Sequence, residues 1–119
     1  MAKQSPPNDI ILHQQSKSLE LVYGEQSYRL PAEYLRVSSP SADVQGHGPG
    51  QEVLQVKKEQ VGITKLEPVG HYALKIYFDD GHNSGLFTWR YLYTLATEQA
   101  ARWQDYLDRL AEAGYQRQP

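Results

Sequence analysis

The clearest two-residue alternation in the chain runs over 71–78. Tyr72, Leu74, Ile76 and Phe78 fall on one face, and His71, Ala73, Lys75 and Tyr77 on the other. This predicts a strand. Asp80-Gly81 follows, a dipeptide suited to a hairpin turn, and Ser84-Gly85-Leu86-Phe87 reads as the returning strand. Upstream, Leu19, Leu21 and Tyr23 alternate with Glu20 and Val22. With 10–13 and 27–30 they predict two or three short strands, with a hairpin at Gly24. Val53-Leu54-Gln55-Val56 also has strand character, and 62–69 reads as a strand with a bend before Pro68.

Helical spacing is confined to two places. Pro31 suits a first helical turn, so a short helix is expected near 31–36 before Ser38-Ser39-Pro40. Thr88 suits the N-cap of a helix that starts at Trp89 and carries Leu92, Leu95 and Ala96, with a break expected at Thr97 and Glu98. Ala100, Trp103, Tyr106, Leu107 and Leu110 then share one helical face, and Gly114 ends it. The expected fold is α+β: one small domain, a mainly antiparallel sheet, a short helix near 31–36 and C-terminal helices near 88–113. The expected organisation is a disordered tail over 1–9, a domain over 10–96, a C-terminal helix over 97–114 and a tail over 115–119. Residues 38–50, rich in Gly, Pro and Ser, read as the longest loop.

Composition narrows the function. A chain of 119 residues suits one domain with a modest core. The net charge of -2 argues against binding nucleic acid by phosphate neutralisation. The absence of cysteine excludes disulfides, thiolate metal sites and a cysteine nucleophile. No apolar run approaches the ~20 residues that a membrane span needs, and 1–8 lack the apolar stretch of a secretory signal. The expectation is a cytoplasmic protein that binds neither nucleic acid nor membrane.

Four histidines are the candidate ligands: His13, His47, His71 and His82. A metal site from His47, His82, Asp79 and Asp80 is conceivable, but none has the spacing that places ligands on one helix face. Ser84 lies near His82 without a nucleophile-elbow motif. Gly46-His47-Gly48-Pro49-Gly50 lacks the lysine of a phosphate loop, and its proline removes a cradling N–H. Asp79 and Asp80, adjacent on a strand, point to opposite faces and make a poor acid–base pair. The nine Tyr and two Trp suit core positions with polar tips, or a binding surface.

Leu35-Arg36, Ser39-Pro40-Ser41-Ala42, the run from Val69 through Gly70-His71-Tyr72-Ala73 to Leu74, the block from Asp80-Gly81-His82 to Trp89, and Tyr91-Leu92 together resemble the gamma-butyrobetaine hydroxylase-like N-terminal domain, long catalogued as a domain of unknown function. The resemblance covers about residues 10–96. In that family the domain stands alone in bacteria, is fused to the catalytic domain of gamma-butyrobetaine and trimethyllysine dioxygenases, or is attached to iron–sulfur carrier ATPases. The catalytic iron and 2-oxoglutarate residues lie in the other domain, and nothing here matches them. The resemblance therefore implies a non-enzymatic accessory module whose partner is a protein or a second copy. It also implies zinc, bound in the dioxygenases by a C-x-C-x-x-C run and the histidine of D-G-H. The corresponding positions here are Ser39, Ser41, Val44 and His82. Only His82 is a competent ligand, so no cofactor is expected. The alternative is a metal-binding module with a weakened site at His82, helped by His47 and Asp80.

Overall fold

The computed structural model describes residues 4–46 and 50–118. Three strands come first: β1 (Asp9–His13), β2 (Ser18–Tyr23) and β3 (Gln26–Pro31). They form one antiparallel sheet in the order β1-β2-β3. The β2–β3 hairpin closes on Tyr23↔Gln26, leaving a two-residue connection whose first residue, Gly24, has φ +61. Such a turn suits glycine, because it matches the twist of the flanking strands without a Cβ clash. Leu19 and Leu21 are fully buried and the residues between and after them are half-buried, as the alternation predicts. Pairing reaches just beyond β1: the Asn8 N–H donates to the Val22 carbonyl (2.7 Å) and the Asn8 side chain accepts from the Gly24 N–H.

Helix α1 (Ala32–Val37) follows directly, with Pro31 at its N-cap. The loop expected over 38–50 contains a further single turn, α2 (Ala42–Gln45), whose N-cap Ser41 accepts from the Asp43 N–H. The Gly- and Pro-rich composition around it conceals this helical turn.

A second antiparallel sheet contains β4 (Ile63–Val69), β5 (Ala73–Phe78) and β6 (Leu86–Thr88), in that order. Four expectations need correction here. Val53–Val56 is not a strand: among the described residues it pairs with no sheet. Its Val53 N–H donates to the Val44 carbonyl, and Gln55 accepts from the Tyr106 hydroxyl (2.7 Å). Tyr72 does not share the buried face of β5. Gly70, at φ +57, turns the chain over 70–72 and leaves the Tyr72 ring exposed. Ser84 and Gly85 are not part of the returning strand, because β6 pairs only with the start of β5, Ala73↔Thr88 to Lys75↔Leu86. The connection from β5 to β6 is thus a seven-residue loop, 79–85, rather than a tight hairpin. Leu86, on an edge strand, stays exposed while Phe87 is fully buried.

The chain then enters α3 (Trp89–Thr97) and α4 (Gln99–Glu112), separated at Glu98. Thr88 caps α3 by accepting from the Tyr91 N–H (3.1 Å). Helix α4 ends in a Schellman motif: the Tyr115 N–H bonds the Leu110 carbonyl, the Gly114 N–H bonds Ala111, and Gly114 has φ +81. One hydrophobic core joins both sheets with α1 and α3. Leu21, Leu30, Leu35, Leu74, Ile76 and Phe87 are at its centre. Burying one such side chain contributes about 1.5–3 kcal/mol. The Tyr34 hydroxyl, buried in the same core, donates to the Leu95 carbonyl (2.8 Å) and ties α1 to α3. Two loops are thereby held at one corner of the core: 38–45 after α1, and 79–85 after β5.

Candidate functional site

That corner holds most of the residues singled out by sequence. Helix α1 delivers Arg36, and its exit delivers Ser39 and Ser41. The turn after β5 delivers Asp80, His82 and Ser84. The Gly81 N–H bonds the Phe78 carbonyl, and the Phe78 N–H bonds the His82 carbonyl (3.0 Å), so the 79–85 loop folds back on the end of β5.

Three contacts stitch the 79–85 loop to α1 and the loop after it, and a fourth ties that loop to α3. His82 Nε2 is hydrogen-bonded to Ser39 Oγ at 2.9 Å, with donor and acceptor set by the imidazole tautomer. Ser41 Oγ is hydrogen-bonded to Ser84 Oγ at 2.8 Å. The Arg36 Nε donates to Asp80 Oδ2 at 2.9 Å. The Tyr91 hydroxyl, from α3, donates to the Ser38 carbonyl at 2.6 Å. Each loop is also tied internally. Gln45 Nε2 donates to the Ser39 carbonyl, and Asp80 Oδ1 accepts from the His82 backbone N–H. Gly85 packs directly on Ser39: a Cβ there would lie 2.3 Å from Ser39 Oγ and 3.0 Å from Pro40 Cδ.

Charge is concentrated on Asp80. Its Oδ2 also accepts from Lys58 Nζ at 2.8 Å. Burial alone would raise this carboxyl. The Lys58 hydrogen bond, the His82 N–H and the Arg36 guanidinium outweigh burial and hold it at about 2. Arg36 is almost wholly buried, and its Nη1 has no hydrogen-bond partner among the described residues. Neither cation was a functional candidate by sequence reading, and Arg36 entered only among the residues that carry the family resemblance. Arg36 sits in a helix too short to show a face, and Lys58 sits in a polar connection.

His82 is half-buried. Burial lowers its pKa from 6.5, and Arg36 pushes the same way, against Asp80 and Asp43. The folded state therefore keeps His82 neutral at a pH where the unfolded chain already binds a proton. Where the unfolded state binds more protons, stability rises with pH. This contribution is complete above about 6.5, an unperturbed histidine value. It falls as pH drops below that value and levels off below the folded pKa. Urea unfolding at pH 7.5 to 5 should show this slope in the native chain and a shallower one in His82→Gln. Parallel slopes for the two would contradict the assignment.

The positions matched to family zinc ligands converge. Ser39 touches His82, Ser41 bonds Ser84, and Val44 is buried on α2 with its N–H bonded to the Ser41 carbonyl. The other sequence candidates scatter. His13 pairs with Glu20 in the first sheet (2.8 Å), and His71 lies exposed in the 70–72 turn. Asp79 faces Gly62. His47 lies outside the described residues. Among the described residues no three His, Asp or Glu side chains are grouped to hold a metal ion.

The family model for gamma-butyrobetaine hydroxylase-like N-terminal domains matches residues 10–93. The chain belongs to that family. Solved structures agree. One protein known from an NMR solution structure is 59% identical, with 98% of this chain and 93% of that chain covered and a TM-score of 0.85. A second NMR solution structure is 43% identical, covers 100% of this chain and 92% of the other, and gives 0.80. A crystal structure of a protein of unknown function from Acidithiobacillus ferrooxidans, assigned to the DUF971 family, is 34% identical over 81% of this chain and 98% of that one, with a TM-score of 0.65. No curated protein matches. The gamma-butyrobetaine hydroxylase-like match ends at Tyr93, inside α3, so α4 and the residues after it lie beyond the matched segment.

Proposed function

We propose that this family member is a non-enzymatic accessory or interaction module, in which a hydrogen-bonded corner stands where relatives place zinc. The observation that carries this reading is the pairing of Ser39 with His82, two positions matched to ligands, at 2.9 Å. The donor set does not fit zinc. It offers one imidazole, two neutral hydroxyls that are poor ligands at neutral pH, and a valine that cannot ligate. Both hydroxyls are engaged within the corner, and Asp80 is engaged by Arg36 and Lys58. The engagement of Asp80 counts against its part in the alternative, a weakened metal site at His82 with His47 and Asp80, of which His47 lies outside the described residues.

The Ser39–His82 pair has the spacing of a nucleophile and its base, but not the rest of the apparatus. Ser39 is 0% exposed, so no substrate reaches its hydroxyl. Asp80 accepts from the backbone of His82, not from the ring, and so does not orient the imidazole as a triad acid does. A protein partner suits the family's habit of occurring fused to dioxygenase or iron–sulfur carrier domains. The net charge of -2 gives no support to nucleic-acid binding, and no helix among the described residues is long and apolar enough to cross a membrane. A cytoplasmic location belongs to the same reading.

Affinity capture from the native host tests it. A dioxygenase-like protein, an iron–sulfur carrier or a second copy of the chain should co-purify. Turnover of a small-molecule substrate by the purified chain alone would overturn it.

A further inference from the structure

We propose that Glu33, Trp103 and Glu59 form a docking site for an arginine-bearing extended peptide, occupied in this chain by its own C-terminal tail. Glu33 lies on α1 and is 7% exposed. A buried carboxylate is costly unless paired and hydrogen-bonded. Its partner comes from 84 residues away: Arg117, in the tail beyond α4 and outside the family-matched segment. The pairing is a two-pronged fork. Arg117 Nε donates to Glu33 Oε2 at 2.9 Å and Nη2 donates to Oε1. The guanidinium also lies over the Trp103 ring, 5.3 Å from its centroid, and Trp103 is itself braced edge-on against Tyr34. A planar fork plus an aromatic face selects arginine over lysine. The next residue adds a second element of recognition: the Gln118 backbone N–H donates to Glu59 Oε2 at 2.6 Å.

The tail's bonds to Glu33 and Glu59 are polar, and Tyr115 and Gln116 stay exposed. An open groove of about 510 Å³ continues past the guanidinium, along Pro31, Tyr34, Gln99 and Ala100. The site is thus anionic, takes a guanidinium and one following N–H, and has room for more chain. Its ligand is a peptide in which the residue after arginine is not proline. This goes beyond the reading of an interaction module by giving the partner's chemistry. Because it is read from an isolated peptide, its failure is distinct from a failed capture.

The test titrates acetyl-Tyr-Gln-Arg-Gln-amide into the full chain carrying Arg117→Ala, following the Trp103 indole N–H by NMR. Saturable binding is expected. Binding to the native chain should be at least ~10-fold weaker, because the attached tail competes at a high effective concentration. Replacing the peptide's arginine by lysine should weaken binding ~10-fold or more, since the fork and the stacking are lost. Proline after the arginine should also weaken it, and Glu33→Gln added to Arg117→Ala should abolish it. If Arg117→Ala does not fold, Arg117→Lys carries the same titration with the same expectations. No saturable binding to the folded variant, or equal binding of the arginine and lysine peptides, would overturn the proposal.

Discussion

Asp80→Ala should destabilise the protein by about 3 kcal/mol, at the low end of the range for breaking a buried ion pair. One oxygen of Asp80 accepts from both Arg36 and Lys58, and the other accepts from the His82 N–H. The two cations are not equivalent. The Lys58 side chain keeps 21% exposure and can turn to solvent, whereas Arg36 keeps 8% and cannot. Removing the carboxylate leaves a buried guanidinium whose Nη1 is already without a partner. The carboxylate itself is about a quarter exposed, and solvent screening there keeps the cost from the top of the range. Lys58→Ala, by contrast, removes a partly exposed cation that leaves no buried charge behind, and should cost about 1 kcal/mol. Urea unfolding of the two variants decides the ranking. An Asp80→Ala cost no larger than that of Lys58→Ala would show that Arg36 does not depend on this carboxylate.

Gly85→Ala should cost about 2–3 kcal/mol, the scale of overpacking in a filled interior. No backbone strain is involved. The cost is purely one of space, because the added methyl falls 2.3 Å from Ser39 Oγ and 3.0 Å from Pro40 Cδ. Relief requires Ser39 to move, which breaks its bond to His82. The cause is therefore checkable by a double-mutant cycle. Ser39→Ala removes the atom nearest the methyl, so the two substitutions together should cost less than the sum of each alone, by 0.5 kcal/mol or more. Strict additivity would place the clash elsewhere.

Alternation made the strands legible wherever one face meets the core. Leu19 and Leu21 in β2, and Leu74, Ile76 and Phe78 in β5, are buried on the expected side. Local chemistry marked the helix limits: the Thr88 cap, the break at Glu98 and the stop at Gly114 all depend on near neighbours in sequence. Long-range pairing was less legible. Nothing local says that six strands divide into two sheets, or that β6 meets β5 only at its first three residues. Val53–Val56 has strand-forming residues, but these bond α2 and α4 instead, and propensity cannot supply a missing neighbour.

The corner was legible only through resemblance. Ser39 and His82 are 43 residues apart, and no spacing rule joins two loops across that distance. Arg36 was hidden for a related reason. In a six-residue helix with Ala32 to Arg36 all buried, no periodic face distinguishes a charged residue that points inward.

If hydrogen bonds and not a metal hold the 38–45 and 79–85 loops together, as we propose, added zinc should leave the stability of the protein unchanged. The most direct measurement is thermal unfolding of chelator-stripped protein with and without added zinc, with metal analysis of the same samples. A ligand that binds only the native state stabilises it by about 2.7 kcal/mol at 100 times its Kd. For a domain of this size that is a rise in Tm of roughly 10 °C. No shift is expected, nor bound zinc near one equivalent, and His82→Gln should give the same result. A zinc-dependent rise in Tm with one equivalent bound, lost in His82→Gln, would contradict it.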